Sequence, residues 1–289
     1  MRVRLGSTVG AELTDPRSAR VKRLRRLTRR KSRADAGQFL AEGEHAVEAA
    51  LAAHRDGRVH VHEVLVTTEA DARHERLTTD AGASSVPVTS ASAAVLAALS
   101  ETVTPQGIVA VVDALDVPLQ AALAEIEQTE QSSPALVAVL ADVRDPGNAG
   151  TLVRVADAAG ADAVVFAGDS VDPYNGKVVR ASVGSLFHLP IVTGVPVSAA
   201  IDELRAAGLQ VVVADGAADL DLNAPDAVKL LARPTAWVFG NEAWGVPEDL
   251  RAEADAVVAV PIYGSAESLN VATAAALCLY ASARVRRAG

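Results

Sequence analysis

A single cysteine, Cys278, is present among 289 residues. One thiol closes no internal disulfide and completes no cysteine-rich metal site, which fits a reducing compartment. Aromatic residues make up only 3% of the chain (two Trp, three Tyr, four Phe), although half of it is hydrophobic. Alanine and valine therefore carry the apolar content, which is enough for a sizeable core and excludes wholesale disorder. Long hydrophobic runs are also missing. The longest, from Leu269 to about Ala283, falls short of the ~20 residues of a membrane span and contains Thr273, Tyr280 and Ser282. The start, MRVRLGSTVG, lacks the apolar stretch of a secretory signal. These absences predict a soluble, cytoplasmic protein without a membrane partner, built as one large or two modest domains.

Several chemistries are excluded the same way. There is no G-x-G-x-x-G dinucleotide fingerprint, no G-x-x-x-x-G-K-[ST] phosphate loop and no G-x-S-x-G nucleophile elbow. The six histidines (His45, His54, His60, His62, His74, His188) are scattered. His60 and His62 share a strand face, but no cysteine or acidic set completes a site, so no metal is expected.

Charge is unevenly divided. The net charge is −9, yet residues 1–34 hold 12 Lys and Arg against Glu12 and Asp15, so this segment is +10 and the rest −19. In ARVKRLRRLTRRKSR, Val21, Leu24 and Leu27 fall at helical spacing, which predicts a basic amphipathic helix seated on a domain with its cations outward. Nucleic-acid phosphate, plain solvent and a membrane surface are the candidate environments. The stripe has no Trp or Phe to anchor in lipid, which weighs against the last. Arg25, Arg26, Arg29, Arg30, Lys31 and Arg33 are the candidate phosphate contacts; such contacts give affinity without sequence choice.

Hydropathy patterning predicts two domains. Strand-like Phe39–Ala41, 60–67, 86–90 and 106–115 alternate with helices over about 35–115, a small α/β unit. Residues 116–133 read as a helix running into a polar connector. From Pro134, β-branched runs at 135–143, 163–168, 189–194, 209–216, 236–240 and 256–262 are separated by helices, including 175–187, 198–207 and a final one from about Asn270 to Arg287. This predicts a parallel sheet covered on both faces. The expected domains are 1–115, a 116–133 linker and 134–289.

Three clusters of polar residues and glycines each follow a buried strand, where open α/β sheets build binding crevices. In DVRDPGNAGTLVRVADAAG, Asp145, Pro146 and Gly147 make a turn and Asn148 suits a helix N-cap. Leu152, Val155, Ala156 and Ala159 form the buried stripe, Gly160 stops the helix, and Arg154 projects off the stripe. A surface arginine on an ordinary strand–turn–helix is the plainer alternative. In VFGNEAWGVPEDL, Gly240 allows close backbone approach and Glu242 emerges at a strand end, able to orient an arginine, accept from a hydroxyl, or complement a helix dipole. Trp244 reads as a packing residue. In VPIYGSAESLNVATAAALCLYA, Ser268 and Asn270 stand before an apolar helix, and capping explains only one of them.

The order N-x-G-x-x-x-R (Asn148, Gly150, Arg154), G-x-E-x-x-G (Gly240, Glu242, Gly245) and S-L-N-V (Ser268 to Val271) resembles the SpoU/TrmH family of S-adenosylmethionine-dependent RNA ribose 2′-O-methyltransferases, of the SPOUT class. RASVGSLFHLP (180–190) looks like the family's ribosomal-RNA version, and the N-terminal region is similar to an L30e-like substrate-binding domain. The resemblance implies a trefoil-knotted α/β catalytic and dimerisation domain over 134–289, a homodimer with its site at the interface, and S-adenosyl-L-methionine as cofactor. By matching position it implies a pocket lined by Gly240, Val260, Ile262 and Leu269. It places Arg154 at the ribose hydroxyl, as base or as electrostatic stabiliser, with Asn148, Glu242, Ser268 and Asn270 as positioning groups. Ala274, Ala275 and Leu277 fall in the knot and dimer contact. The expected activity is 2′-O-methylation of 23S rRNA. The alternatives are a transfer-RNA substrate and a non-catalytic RNA-binding or ribosome-assembly protein.

Overall fold

The computed structural model describes residues 12–128 and 134–288. Arg2 and Arg4 of the basic segment and the end of the 116–133 connector lie outside the described residues. In chain order the first elements are α1 (Ala19–Arg26), α2 (Arg30–Ala36), β1 (Gln38–Glu42), α3 (Glu44–Arg55), β2 (Val61–Val66), α4 (Thr68–Arg73), α5 (Glu75–Ala83), β3 (Val88–Ser90), α6 (Ala93–Leu99) and β4 (Ile108–Asp113). Next come α7 (Leu119–Gln128), β5 (Leu136–Ala141), α8 (Pro146–Ala159), β6 (Ala163–Ala167), α9 (Gly176–Ser182), a 3-10 turn at Ser185–Phe187 and β7 (Ile191–Val195). The chain closes with α10 (Val197–Ala206), β8 (Gln210–Ala214), β9 (Leu220–Asp221), α11 (Pro225–Leu231), β10 (Thr235–Phe239), α12 (Glu248–Glu253), β11 (Ala256–Ala259) and α13 (Val271–Ala288). One unit gathers Met1–Leu115 with Tyr174–His188; the other gathers Asp116–Pro173 with Leu189–Gly289.

In the first unit a mixed four-stranded sheet runs β1-β4-β2-β3, antiparallel except for the β2–β3 pair. Val21, Leu24 and Leu27 are buried with Val95, Leu96 and Leu99 of α6, so the basic segment seats its apolar stripe as the spacing predicts. It is not one helix, however. Thr28 Oγ1 donates to Arg25 O (2.9 Å), and the Arg33 guanidinium donates to Leu27 O (3.0 Å) and Thr28 O (2.8 Å). Side chains thus take the carbonyls that a continuing helix would use, and the backbone turns between α1 and α2. Arg33 is buried by this role, which removes it from the outward cations.

Residues 174–188, which the hydropathy rhythm assigns to the second domain, pack in the first unit. Phe39 stacks on Tyr174 (ring centroids 4.6 Å apart) and on Phe187 (5.9 Å). Arg180 donates to Glu42 (2.8 Å), which also accepts from Ser100. Gly184, at φ +91°, lets the turn approach the His45 carbonyl and Ala49 of α3, where a Cβ would crowd both.

The second unit is a seven-stranded sheet, parallel in every pair, with order β7-β6-β5-β10-β8-β11-β9. Every residue of β5, β6 and β10 is buried, as near-continuous apolar runs require. From β5 the chain winds outward through β6 and β7, then returns to build β8 on the far side of β10. The pair β5–β10 is therefore the switch point, and the crevice beyond its carboxyl ends is the natural place for a ligand. The short β9, α11 and α12 are too brief to show in the hydropathy pattern. Among the described residues no helix is long and apolar enough to cross a membrane.

Helix α13 is fastened to the sheet by polar pairs. The buried Trp237 of β10 donates its Nε1–H to Ser282 Oγ (2.9 Å), and Arg286 reaches Gly160 O (3.1 Å) and Asp162 (3.4 Å). Ser282→Ala leaves the indole N–H buried and unpaired, and is expected to lower unfolding free energy by about 1–3 kcal/mol in denaturant titrations.

Candidate active site

Three loops rise from the carboxyl edge of the parallel sheet, after β5, β10 and β11. The first starts at Asp142, a non-glycine residue at φ +57°. Aspartate tolerates this left-handed geometry better than most residues, and Asp142 is pinned from both sides. Its carboxylate accepts from Asp169 N (2.6 Å) and its carbonyl from Asn241 Nδ2 (2.7 Å). The helix N-cap is Asp145, whose Oδ1 accepts from Asn148 N (2.8 Å), with Pro146 at the first helical position. This corrects the expected cap at Asn148 and has a consequence: the Asn148 amide is released for contacts across the crevice. The buried stripe of α8 is Leu152, Val153, Ala156 and Ala159, with Val155 only half-buried, and Gly160 closes the helix at φ +72° as expected.

The second loop folds back on itself. Asn241 and Gly245 exchange both backbone hydrogen bonds (3.0 and 2.9 Å), and Asn241 Oδ1 accepts from Ala243 N (2.9 Å). A Cβ at Gly240 would fall on the backbone of Gly245 and Val246, so glycine is required there. Glu242 projects from this closed loop toward the N-terminus of α8.

The loops meet through side chains. Asn148 Nδ2 donates to Glu242 Oε1 (3.0 Å), and Asn270 Nδ2 donates to Asn148 Oδ1 (2.9 Å). Longer contacts bring Asp145 N (3.3 Å) and Arg144 N (3.4 Å) to the same carboxylate. Asn270 Oδ1 accepts from Ala272 N (2.9 Å), capping α13 while its amide points across. The chain Asn270–Asn148–Glu242 thus links all three sequence clusters, with the carboxylate where the α8 dipole favours negative charge. Its members remain accessible to a ligand.

Ser268 is exposed in the third loop and is joined to this chain by no hydrogen bond. Val260 and Ile262 are half-buried, Leu269 is exposed and Gly240 is buried. Among the described residues, no hydrogen bond engages the main-chain N–H groups of Ile262 to Leu269. Unpaired donors beside apolar side chains fit a planar heterocycle with ring-nitrogen acceptors. Arg154 is exposed and, among the described residues, carries no hydrogen bond or ion pair. It lies six residues beyond Asn148 on α8, roughly 9 Å further along the axis and on a different face of the helix.

In the first unit, Lys22, Arg23, Arg25, Arg26, Arg29, Arg30 and Lys31 are exposed and free of acidic partners among the described residues. They form the outward cationic face, without Arg33. The residues that sequence reasoning missed are Asp145, Asn241, Arg144 and Trp244. The Asp145–Pro146 pair carries a helix-start signal; nothing in the pattern distinguishes Trp244, which is exposed rather than packed.

Comparison with known proteins places this geometry. Residues 135–280 match the SpoU rRNA Methylase family and residues 18–110 the MRM3-like substrate binding domain. The chain is 35% identical over 269 residues to the 23S rRNA (guanosine(2553)-2′-O)-methyltransferase RlmP of Bacillus subtilis, covering 93% of this chain and 98% of the relative. An AdoMet-bound rRNA methyltransferase from Sinorhizobium meliloti superposes with a TM-score of 0.78 at 31% identity, covering 94% and 97% of the two chains. The SpoU methyltransferase AviRb from Streptomyces viridochromogenes, in complex with AdoMet, gives 0.77 at 30% identity, covering 94% and 100%.

Glu242→Ala removes the acceptor at the centre of the three loops. Hydrogen exchange of the Arg144 and Asp145 amides is expected to accelerate by about fivefold, as loss of a net hydrogen bond of ~1 kcal/mol implies, while the β5 amides stay protected.

Proposed function

The chain belongs to the SpoU rRNA methylase family, and we propose on that premise that it methylates a ribose 2′-hydroxyl of 23S ribosomal RNA as a cytoplasmic homodimer. The observation that carries the reading is the convergence of Asn148, Glu242 and Asn270 at the sheet's switch point. The cofactor is S-adenosyl-L-methionine, which when bound supplies an electrophilic methyl group. Gly240, Val260, Ile262 and Leu269 would hold it, with the unpaired amides of the third loop facing its base. Trefoil knotting of the C-terminal segment is part of the same reading.

A ribose hydroxyl is a poor nucleophile, so the residues must align it and stabilise the charge that develops as its proton leaves. Alignment alone supplies ~7–11 kcal/mol in well-oriented reactions. Glu242 and Asn148 fix the floor of the crevice, and Ser268 lies on the loop above it as a further positioning group. Arg154 provides the cation for the developing alkoxide and the adjacent phosphate. Because it lies on a different face of α8 from Asn148, the arginine that serves each site comes, in this reading, from the second subunit. The face of α13 that leaves Leu277 and Tyr280 exposed is the apolar surface available to that contact. The outward cations of α1 and α2 then draw in the RNA backbone.

Arg154→Ala is expected to abolish methyl transfer to 23S rRNA while leaving cofactor affinity within about twofold. Mixing it with Glu242→Ala subunits tests the shared site: random heterodimers contain one intact site each and restore roughly a quarter of wild-type activity. Failure of any mixture to recover activity would place Arg154 in its own protomer's site.

Neutralising Arg25, Arg26, Arg29 and Arg30 together removes up to four phosphate contacts. The slope of log affinity against log salt is expected to fall by about 3–4 for duplex RNA-like charge density. A slope equal to that of the wild-type protein would show that these cations face solvent only.

A further inference from the structure

The chain has two tryptophans with opposite environments. Trp237 is fully buried in β10, whereas Trp244 is 54% exposed in the closed loop two residues beyond Glu242. An indole is an expensive group to leave in water, and this one is not loosely held. Its loop is stapled by the Asn241–Gly245 pair and by Asn241 Oδ1 to Ala243 N. The Arg144 guanidinium carbon lies over the ring, 5.1 Å from its centroid. Arg144 comes from the first loop, and its own amide contacts Glu242. Its one ion pair among the described residues, with Asp169 at 3.7 Å between two exposed side chains, is too weak and too open to account for the arrangement.

Two loops therefore present a fixed, solvent-facing cation–aromatic pair beside the carboxylate at the centre of the crevice. Ring faces and guanidinium planes of this kind are what single-stranded RNA bases stack on, and the cation also answers a phosphate. We infer that Trp244, with Arg144 over its ring, is a stacking platform for a base of the RNA strand at the reacting ribose, and so contributes to RNA binding rather than to cofactor binding. This rests on the RNA methyltransferase reading above. Closing the loop before the ligand arrives lowers the ordering cost of stacking.

The two tryptophans make the test direct. Titrating the cofactor-loaded protein with protein-free 23S rRNA is expected to quench the emission of Trp244, a change absent in Trp244→Phe because Trp237 is sealed in the core. In steady-state methylation, Trp244→Ala is expected to raise KM for RNA by about tenfold with kcat and cofactor Kd within twofold, and Trp244→Phe to recover most of the loss. Arg144→Ala is expected to raise KM in the same direction by a smaller factor. An unchanged KM in Trp244→Ala, or its conversion to a monomer by size-exclusion chromatography, overturns the platform in favour of plain surface or a subunit contact. If the wild-type protein leaves 23S rRNA unmethylated, the substrate assignment fails instead. The quenching titration, repeated with total cellular RNA, then still decides the platform: quenching supports it, and an unaltered spectrum overturns it.

Discussion

The arrangement of the second unit depends on one carboxylate held at a helix start. Glu242 sits on a loop that must turn back sharply at Gly240, and it accepts from the Asn148 amide and from backbone donors of the α8 N-terminus. Neither contact is strong in isolation, since the groups are partly exposed. Their value is geometric: they tie the ends of β5 and β10, the two strands where the winding direction reverses, and Asn270 extends the tie to α13. A crevice that any parallel α/β sheet offers for free is thereby given a floor of fixed polarity.

Capping chemistry decides which side chains remain for a ligand. Asp145 takes the N-cap of α8 and Asn270 takes that of α13 with its oxygen. Each choice leaves an amide group aimed across the gap instead of being consumed by its own helix. The same economy of donors runs through the first unit, where Arg33 satisfies the carbonyls at the α1–α2 turn and leaves its seven basic neighbours outward. A structural arginine and outward-facing arginines lie three or four residues apart in one basic run, and only the turn separates their environments.

Much of this was legible in the amino-acid order. The buried strands announce themselves as unbroken runs of valine, alanine and leucine, and Val21, Leu24 and Leu27 mark the seated face of the basic segment. The three polar clusters, each behind a strand, point to one crevice before any coordinates are known. What could not be read depends on contacts distant in sequence. The break at Leu27–Arg29 follows from a side chain several residues ahead, and the Asn148 rotamer depends on Asp145 and Glu242 together. Trp244 looked like packing because large aromatics usually are; only its position on a closed loop at the sheet edge shows otherwise. The docking of residues 174–188 was invisible for the same reason, since a short helix between two strands carries no sign of which sheet it will cover.

That docked segment governs how the polypeptide can be made and cut. Phe39 finds its stacking partners Tyr174 and Phe187 only after most of the chain has been synthesised. A fragment ending near Leu115 would thus hold the four strands yet expose an aromatic side chain meant for the interior, and would be prone to aggregate. The N-terminal region is a structural unit without being a transferable module. The ribosome must extend the nascent chain past His188 before that region can complete its core, so the order of translation and the order of folding diverge.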